Sequence, residues 1–103
     1  MNLERRRAPR FSFIAAAEEL AENGRTRLSA RISDISATGC YVDTINPLMG
    51  GTSVRLKILT DTQVFEAPAT VMYAHANLGM GLMFGEVPQN SRNVLQNWLP
   101  HAR

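Results

Sequence analysis

Four arginines stand close together near the start of the chain, ahead of its first apolar segment. They are Arg5, Arg6, Arg7 and Arg10, in the stretch RRRAPRF. The net charge of the 103 residues is +2, yet residues 1–10 carry +3 and residues 11–103 carry −1, so the positive excess lies in this head. A guanidinium group is planar and donates two parallel hydrogen bonds. Arginine instead of lysine therefore favours bidentate recognition of a phosphate or a guanine edge.

A second group of polar residues follows in the stretch DISATGCYV. Asp34 and Ser36 are two residues apart, and Gly39 follows them. In an extended segment, residues i and i+2 face the same side, so we expect both side chains to address one ligand. Gly39 supplies either a positive φ or room for close backbone approach. A carboxylate accepts hydrogen bonds from the Watson–Crick edge of guanine, and arginine donates to its O6 and N7 atoms. The two groups are chemically complementary to one guanine nucleotide.

The elements that must position these residues are mostly short strands. RTRLSARISDI and TSVRLKIL alternate apolar and polar residues, with turn material such as NPLMGG between the apolar runs. QVFEAPATVMYAHA predicts a longer strand, in which Pro68 implies an edge position or a bulge. Its predicted inner face consists of Phe65, Ala67, Ala69, Val71 and Tyr73. Strands at this spacing indicate a small antiparallel barrel.

Two segments depart from this strand pattern. The tail SRNVLQNWL has apolar residues at helical spacing, which predicts a short helix that ends before Pro100 and lays Trp98 on the barrel. Residues 15–22, AAAEELAE, have helical propensity, although a barrel that needs a first strand would draw them into one. The sequence leaves strand and helix open for residues 15–22.

The chain resembles the PilZ domains, bacterial receptors for cyclic di-GMP. Arg6 to Arg10 give that family's RxxxR motif, Asp34 to Gly39 give its DxSxxG motif, and GMGLMF at residues 79–84 resembles its glycine-rich strand. The resemblance implies an all-β fold with a C-terminal helix, namely a six-stranded antiparallel β-barrel. The length of 103 residues predicts one domain, over residues 1–103. We expect a flexible arginine-rich head (1–10), which has little apolar surface to bury, then a barrel (11–86) and a C-terminal helix region (88–99).

The same resemblance implies a ligand site for cyclic di-GMP and no other cofactor. Arg6 and Arg10 would grip guanine edges and phosphates, Asp34 and Ser36 would bind a guanine, and Gly39 would shape the turn. In that family, an arginine just before RxxxR, as Arg5 is here, favours binding of a stacked pair of cyclic di-GMP molecules over a single one. The complete candidate site consists of Arg5, Arg6, Arg7, Arg10, Asp34, Ser36 and Gly39. We expect the head to order on ligand binding and to signal to an unidentified downstream protein.

Two alternative functions remain open from the sequence. One is a small β-barrel that binds nucleic acid through the basic head, which we do not favour because the chain has a single lysine. The other is a PilZ-fold adaptor that binds only protein. An enzyme is not expected, because Ser36, Asp34 and His75 lack the context of a nucleophile elbow.

The remaining conspicuous residues predict structural roles and a cytoplasmic location. Cys40 is expected in the core, and with His75 and His101 it forms no recognisable metal set. Met72 and Tyr73 are expected in the core or its wall. No apolar run is long enough to span a membrane, and no apolar segment follows the basic head as in a secretory signal. A single cysteine suits a reducing compartment, so we expect a cytoplasmic protein without membrane insertion.

Overall fold

The computed structural model describes residues 9–21, residue 24 and residues 26–100. Six strands and one helix make up this part of the chain. The strands are β1 (Phe11–Ala21), β2 (Arg27–Ile35), β3 (Gly39–Asp43), β4 (Ser53–Leu59), β5 (Val64–His75) and β6 (Gly79–Phe84), and the helix is α1 (Gln89–Trp98). Among the described residues, no helix has the length and apolarity needed to cross a bilayer.

The six strands form a closed antiparallel barrel in the order β1-β2-β3-β6-β5-β4, which confirms the predicted fold class. Closure comes from β1, which pairs with β2 along one side and with β4 along the other. Each strand therefore has a neighbour on both sides, and the barrel exposes no long unpaired edge.

The alternation of apolar residues points one face of each strand into the barrel. On β4, Val54, Leu56 and Ile58 are fully buried, whereas Arg55 is exposed and Lys57 is partly exposed. The sequence left strand and helix open for residues 15–22, of which residue 22 lies outside the described residues. Residues 11–21 are a strand, because the tertiary pairing of β1 on both sides outweighs the local helical propensity of its alanines.

Tyr73 does not lie in the core, contrary to the prediction from β5 alternation. The pairing of β5 with β6 shifts register here, so that Val71 faces Leu82 and Tyr73 faces Gly81, with Met72 as the extra residue. Such a bulge reverses the alternation beyond it. Val71 is buried, but Met72 and Tyr73 are both about half exposed on the outer surface.

Helix α1 packs against the barrel through its last turn, as its spacing predicted. The Trp98 ring lies 4.9 Å from the Phe13 ring and 6.2 Å from the Phe65 ring, between centroids. Its indole N–H donates to the side-chain oxygen of Gln63 at 3.1 Å. Near the other end of the helix, the Ser91 hydroxyl oxygen accepts the backbone N–H of Glu66 at 3.0 Å. The helix is thus held to β5 and its preceding turn.

One carboxyl group lies inside the barrel. Glu19 is fully buried on β1 between its register partners Leu28 and Leu56, and its carboxylate oxygens have no hydrogen-bond partner among the described residues. Burial, together with a smaller contribution from the charge of Glu18, raises the pKa of Glu19 from 4.5 to about 7. The folded barrel therefore favours the protonated acid.

We expect Glu19 to make the barrel less stable as the pH rises from about 4.5 through about 7. The folded state keeps a proton that the unfolded chain releases in this window, so the free energy of unfolding falls. This pKa shift corresponds to a loss of roughly 3 kcal/mol in the free energy of unfolding once the pH is above both values. Urea unfolding over this pH range measures the effect, and Glu19→Gln should flatten the profile. Glu18→Gln is the matched control and should keep most of the slope; an equal slope in Glu19→Gln would contradict the assignment.

Candidate ligand-binding site

Arg10 and Asp34 meet on the outer surface of the barrel. Arg10 directly precedes β1, Asp34 lies near the end of β2, and Asp34 pairs in register with Ser12 of β1. The Arg10 Nη2 atom is 3.1 Å from the Asp34 Oδ1 atom, and both side chains are partly exposed. This Oδ1 is buried and accepts no hydrogen bond in the described part of the chain, so the contact is an ion pair without hydrogen-bond geometry. The structure thus brings together residues that are 24 positions apart.

Ser36 is placed differently from Asp34. Strand β2 ends at Ile35, and Ser36 is fully buried at the start of the turn into β3. Its hydroxyl oxygen accepts the backbone N–H groups of Thr38 and Gly39, both at 3.1 Å. Asp34 and Ser36 therefore present no common exposed face, because the turn begins between them. The Ser36 hydroxyl shapes the turn from inside it.

Gly39 allows two strands to approach closely. Gly39 faces Met83 of β6, and a Cβ atom on Gly39 would collide with the carbonyl oxygen of Leu82. Its φ is not among the positive values in the described residues, so close approach is the property that the position requires. The Phe84 N–H donates to the Thr38 carbonyl at 2.8 Å, which ties the turn to β6.

A pocket of about 300 Å³ opens beside the Arg10 side chain. It is lined by Arg10, Thr38, Gly39, Met72, Tyr73, Gly81, Leu82 and Met83. The Tyr73 ring forms one wall, because it occupies the space where a Cβ on Gly81 would stand. The seven site residues predicted from the sequence do not include Tyr73. The sequence feature that could have indicated Tyr73 is the pair of alternating glycines of β6, Gly79 and Gly81. They leave room on that strand for aromatic rings from neighbouring strands.

Three of the seven predicted site residues, Arg5, Arg6 and Arg7, lie outside the described residues. Cys40 is fully buried, and burial raises the pKa of its thiol, as expected for a core residue. His75 is exposed at the end of β5 and contacts the Tyr41 hydroxyl through its Nδ1 atom at 3.1 Å. No group of three or more His, Cys, Asp or Glu side chains in the described ranges could hold a metal ion.

The fold is a closed antiparallel barrel with a C-terminal helix, and a pocket that Arg10 lines opens beside the β2–β3 turn. A sequence model of the PilZ domain matches residues 4–100. The chain therefore belongs to the PilZ domain family, whose members are binding and adaptor domains.

Solved structures of PilZ domain proteins have the same fold. The PilZ domain of YcgR from Escherichia coli, solved with c-di-GMP, has a TM-score of 0.73 and 18% identity, over 89% of this chain and 86% of that one. The PilZ domain of CeSA from a cellulose-synthesizing bacterium has a TM-score of 0.68 and 18% identity, over 86% and 92%.

The inhibitor of motility MotI/DgrA from Bacillus subtilis has a TM-score of 0.73 and 21% identity over 95% of this chain. The present chain spans about half of that protein, 50% of its length. A search of curated protein sequences finds no significant match.

We expect Ser36→Ala to destabilise the β2–β3 turn. The substitution leaves the Thr38 and Gly39 N–H groups without their shared acceptor, and an unsatisfied buried donor costs about 1–3 kcal/mol. Urea unfolding measures the loss. Ser29→Ala is the matched control, because Ser29 is exposed on β2, the strand that leads into the turn. Equal stability of Ser36→Ala and Ser29→Ala would show that the hydroxyl does not hold the turn.

Proposed function

We propose that this PilZ domain is a receptor for cyclic di-GMP that signals as an adaptor and performs no catalysis. The observation that carries the proposal is the Arg10–Asp34 pair: Arg10, a donor for guanine, lines the pocket, and its Nη2 atom lies 3.1 Å from Oδ1 of Asp34, an acceptor for guanine. Family membership supports it, as does the YcgR PilZ domain, whose structure contains c-di-GMP.

The Arg10–Asp34 ion pair suits a site that opens for its ligand. Both side chains are partly exposed, and an exposed ion pair is worth only about 0–1 kcal/mol. A guanine can replace this contact with stronger ones, because Arg10 donates to O6 and N7 or to a phosphate while Asp34 accepts from N1–H and N2–H₂. The ion pair keeps both groups in place at little energetic cost to binding.

Two other predicted site residues act by positioning. Ser36 holds the N–H groups of the turn, and Gly39 lets that turn lie against β6. Both keep Thr38, which lines the pocket, at a fixed position relative to Arg10. We assign direct ligand contacts to Arg10, Asp34 and the Tyr73 wall, and indirect roles to Ser36 and Gly39.

The head completes the proposed site. We propose that Arg5, Arg6 and Arg7 bind the ligand's phosphates and guanine edges, since anions neutralise the mutual repulsion of neighbouring guanidinium groups. Ordering of residues 1–10 against the surface near Asp34 would then present a new face to a downstream protein. Because a second messenger acts inside the cell, the proposal places this receptor in the cytoplasm.

We expect Arg10→Ala to weaken cyclic di-GMP binding by about 5- to 150-fold, the value of one bidentate guanine contact. Isothermal titration calorimetry measures the change. Arg31→Ala is the matched control. Arg31 lies on β2, as Asp34 does, and forms an exposed ion pair with Asp43 at 3.2 Å. Asp34→Ala should in addition lower the preference for cyclic di-GMP over cyclic di-AMP.

Two results would contradict the receptor proposal. The first is the absence of binding heat and of a thermal shift with cyclic di-GMP in the wild-type chain. The second is equal binding by Arg10→Ala and Arg31→Ala. Tight, strongly salt-dependent binding of DNA or RNA oligonucleotides without guanine preference would instead favour the nucleic-acid alternative.

We expect residues 3–10 to gain protection from amide hydrogen exchange when cyclic di-GMP is added, because their arginines acquire phosphate partners. Exchange measured by mass spectrometry with and without the ligand tests this ordering. Strand β4, which lies on the other side of β1 from β2, serves as an internal control, with equal protection in both states. Strong protection of residues 3–10 already without ligand would exclude the switch.

A further inference from the structure

Three aromatic side chains form a triangle on the outer face of strands β3, β5 and β6. The ring centroids are 5.3 Å apart for Tyr73 and His75, 6.1 Å for Tyr41 and His75, and 6.4 Å for Tyr41 and Tyr73. A hydrogen bond of 3.1 Å joins the Tyr41 hydroxyl to Nδ1 of His75. We call these three residues the aromatic shelf. Tyr73 and His75 are exposed and Tyr41 is partly exposed, so the shelf is not part of the core.

Two glycines of β6 form the floor of the aromatic shelf. The ring of Tyr41 occupies the space of a Cβ on Gly79, and the ring of Tyr73 occupies that of a Cβ on Gly81. The rings therefore lie over the backbone of β6. Aromatic rings exposed on a sheet surface are the type of platform on which nucleobases stack.

The aromatic shelf continues directly from the Arg10–Asp34 site. Asp34 pairs with Tyr41, Tyr41 pairs with Gly81, and Gly81 pairs with Tyr73, so these four residues form one row across four strands. Tyr73 also lines the pocket beside Arg10. With about 300 Å³, that pocket is at the lower limit for ligand sites, and a ligand with two bases needs additional surface.

We propose that the aromatic shelf is a second base-binding subsite, on which one purine of the ligand stacks while its other guanine lies at Arg10 and Asp34. The inference rests on the proposed cyclic di-GMP function and assigns residues to the second base. Stacking requires a π face and no particular hydrogen bond, so the shelf contributes affinity more than guanine specificity.

Aromatic rings that cover strand glycines also stabilise a sheet, and this role must be separated from base binding. Sheet stabilisation needs apolar cover, which leucine also provides in part. Stacking needs the ring itself. Tyr41→Phe keeps the ring and loses only the hydrogen bond to His75, whereas Tyr41→Leu loses the ring. The pair of variants therefore distinguishes the two roles.

The test is titration of the full chain with cyclic di-GMP and with GMP, which has one guanine. We expect Tyr41→Leu to weaken cyclic di-GMP binding by about 5- to 150-fold and Tyr41→Phe to retain most of it. GMP binding, followed by NMR chemical shifts, should be unchanged in both variants because its guanine lies at Arg10 and Asp34. Leu78→Ala is the control, since Leu78 is an exposed apolar residue in the neighbouring β5–β6 turn.

Each remaining outcome overturns the inference in a recognisable way. If the wild type binds cyclic di-GMP and Tyr41→Leu binds it equally well, the shelf is not a base subsite and the receptor function stands. If Tyr41→Leu loses GMP affinity by the same factor and also unfolds at a lower temperature, the ring stabilises the sheet only. If the wild type does not bind cyclic di-GMP, the receptor function itself fails, and the shelf assignment with it.

Discussion

The pairing of β1 on both sides is the constraint on which the rest of the structure depends. This strand closes the barrel between β2 and β4, and the chain segment immediately before it carries Arg10. Its buried residues are Ala15, Ala17, Ala21 and Glu19, and the larger Phe13 is partly buried against the core. Barrel closure thus combines backbone pairing along both edges of β1 with the packing of Phe13 against Trp98. The position of Arg10 next to Asp34 follows from this closure, because β1 lies beside β2 in register.

The β2–β3 turn separates residues that fix the backbone from the residue that remains exposed beside Arg10. The Ser36 hydroxyl binds the backbone N–H groups of the turn. Gly39 is required because the carbonyl oxygen of Leu82 on β6 leaves no room for a Cβ atom. Asp34, two residues earlier, remains partly exposed beside Arg10. In the proposed site, this short motif combines one residue that would contact the ligand, Asp34, with two that fix the backbone around it.

Much of the fold could be predicted from the sequence, because alternation and turn residues report directly on barrel strands. Strand β4 follows from its alternation, and the helix with Trp98 follows from the helical spacing of its apolar residues. The conformation of β1 could not be decided, since its alanines favour a helix and only pairing with two distant strands makes it extended. The prediction for Tyr73 was wrong because a bulge at Met72 changes the alternation. Such a register shift depends on the partner strand β6.

In the candidate site too, some features follow from nearby residues and others depend on strands that are distant in the sequence. The types and spacing of Arg10 and Asp34 indicated a joint site, and the structure places them in contact. The buried position of Ser36 could not be derived from spacing, because it depends on where β2 ends. Tyr41 and His75 are 34 residues apart, and only the order β3-β6-β5 brings them together.

The burial of Cys40 has a consequence for the chemistry that this domain can undergo. It is the only cysteine of the chain, it lies fully buried on β3, and burial raises the pKa of its thiol. Because the thiolate is the reactive form, oxidants and alkylating agents reach this sulfur only when β3 separates from its neighbours. The thiol of the folded barrel is therefore protected from oxidation, and the rate at which Cys40 is modified reports how often the barrel opens beside the proposed ligand site.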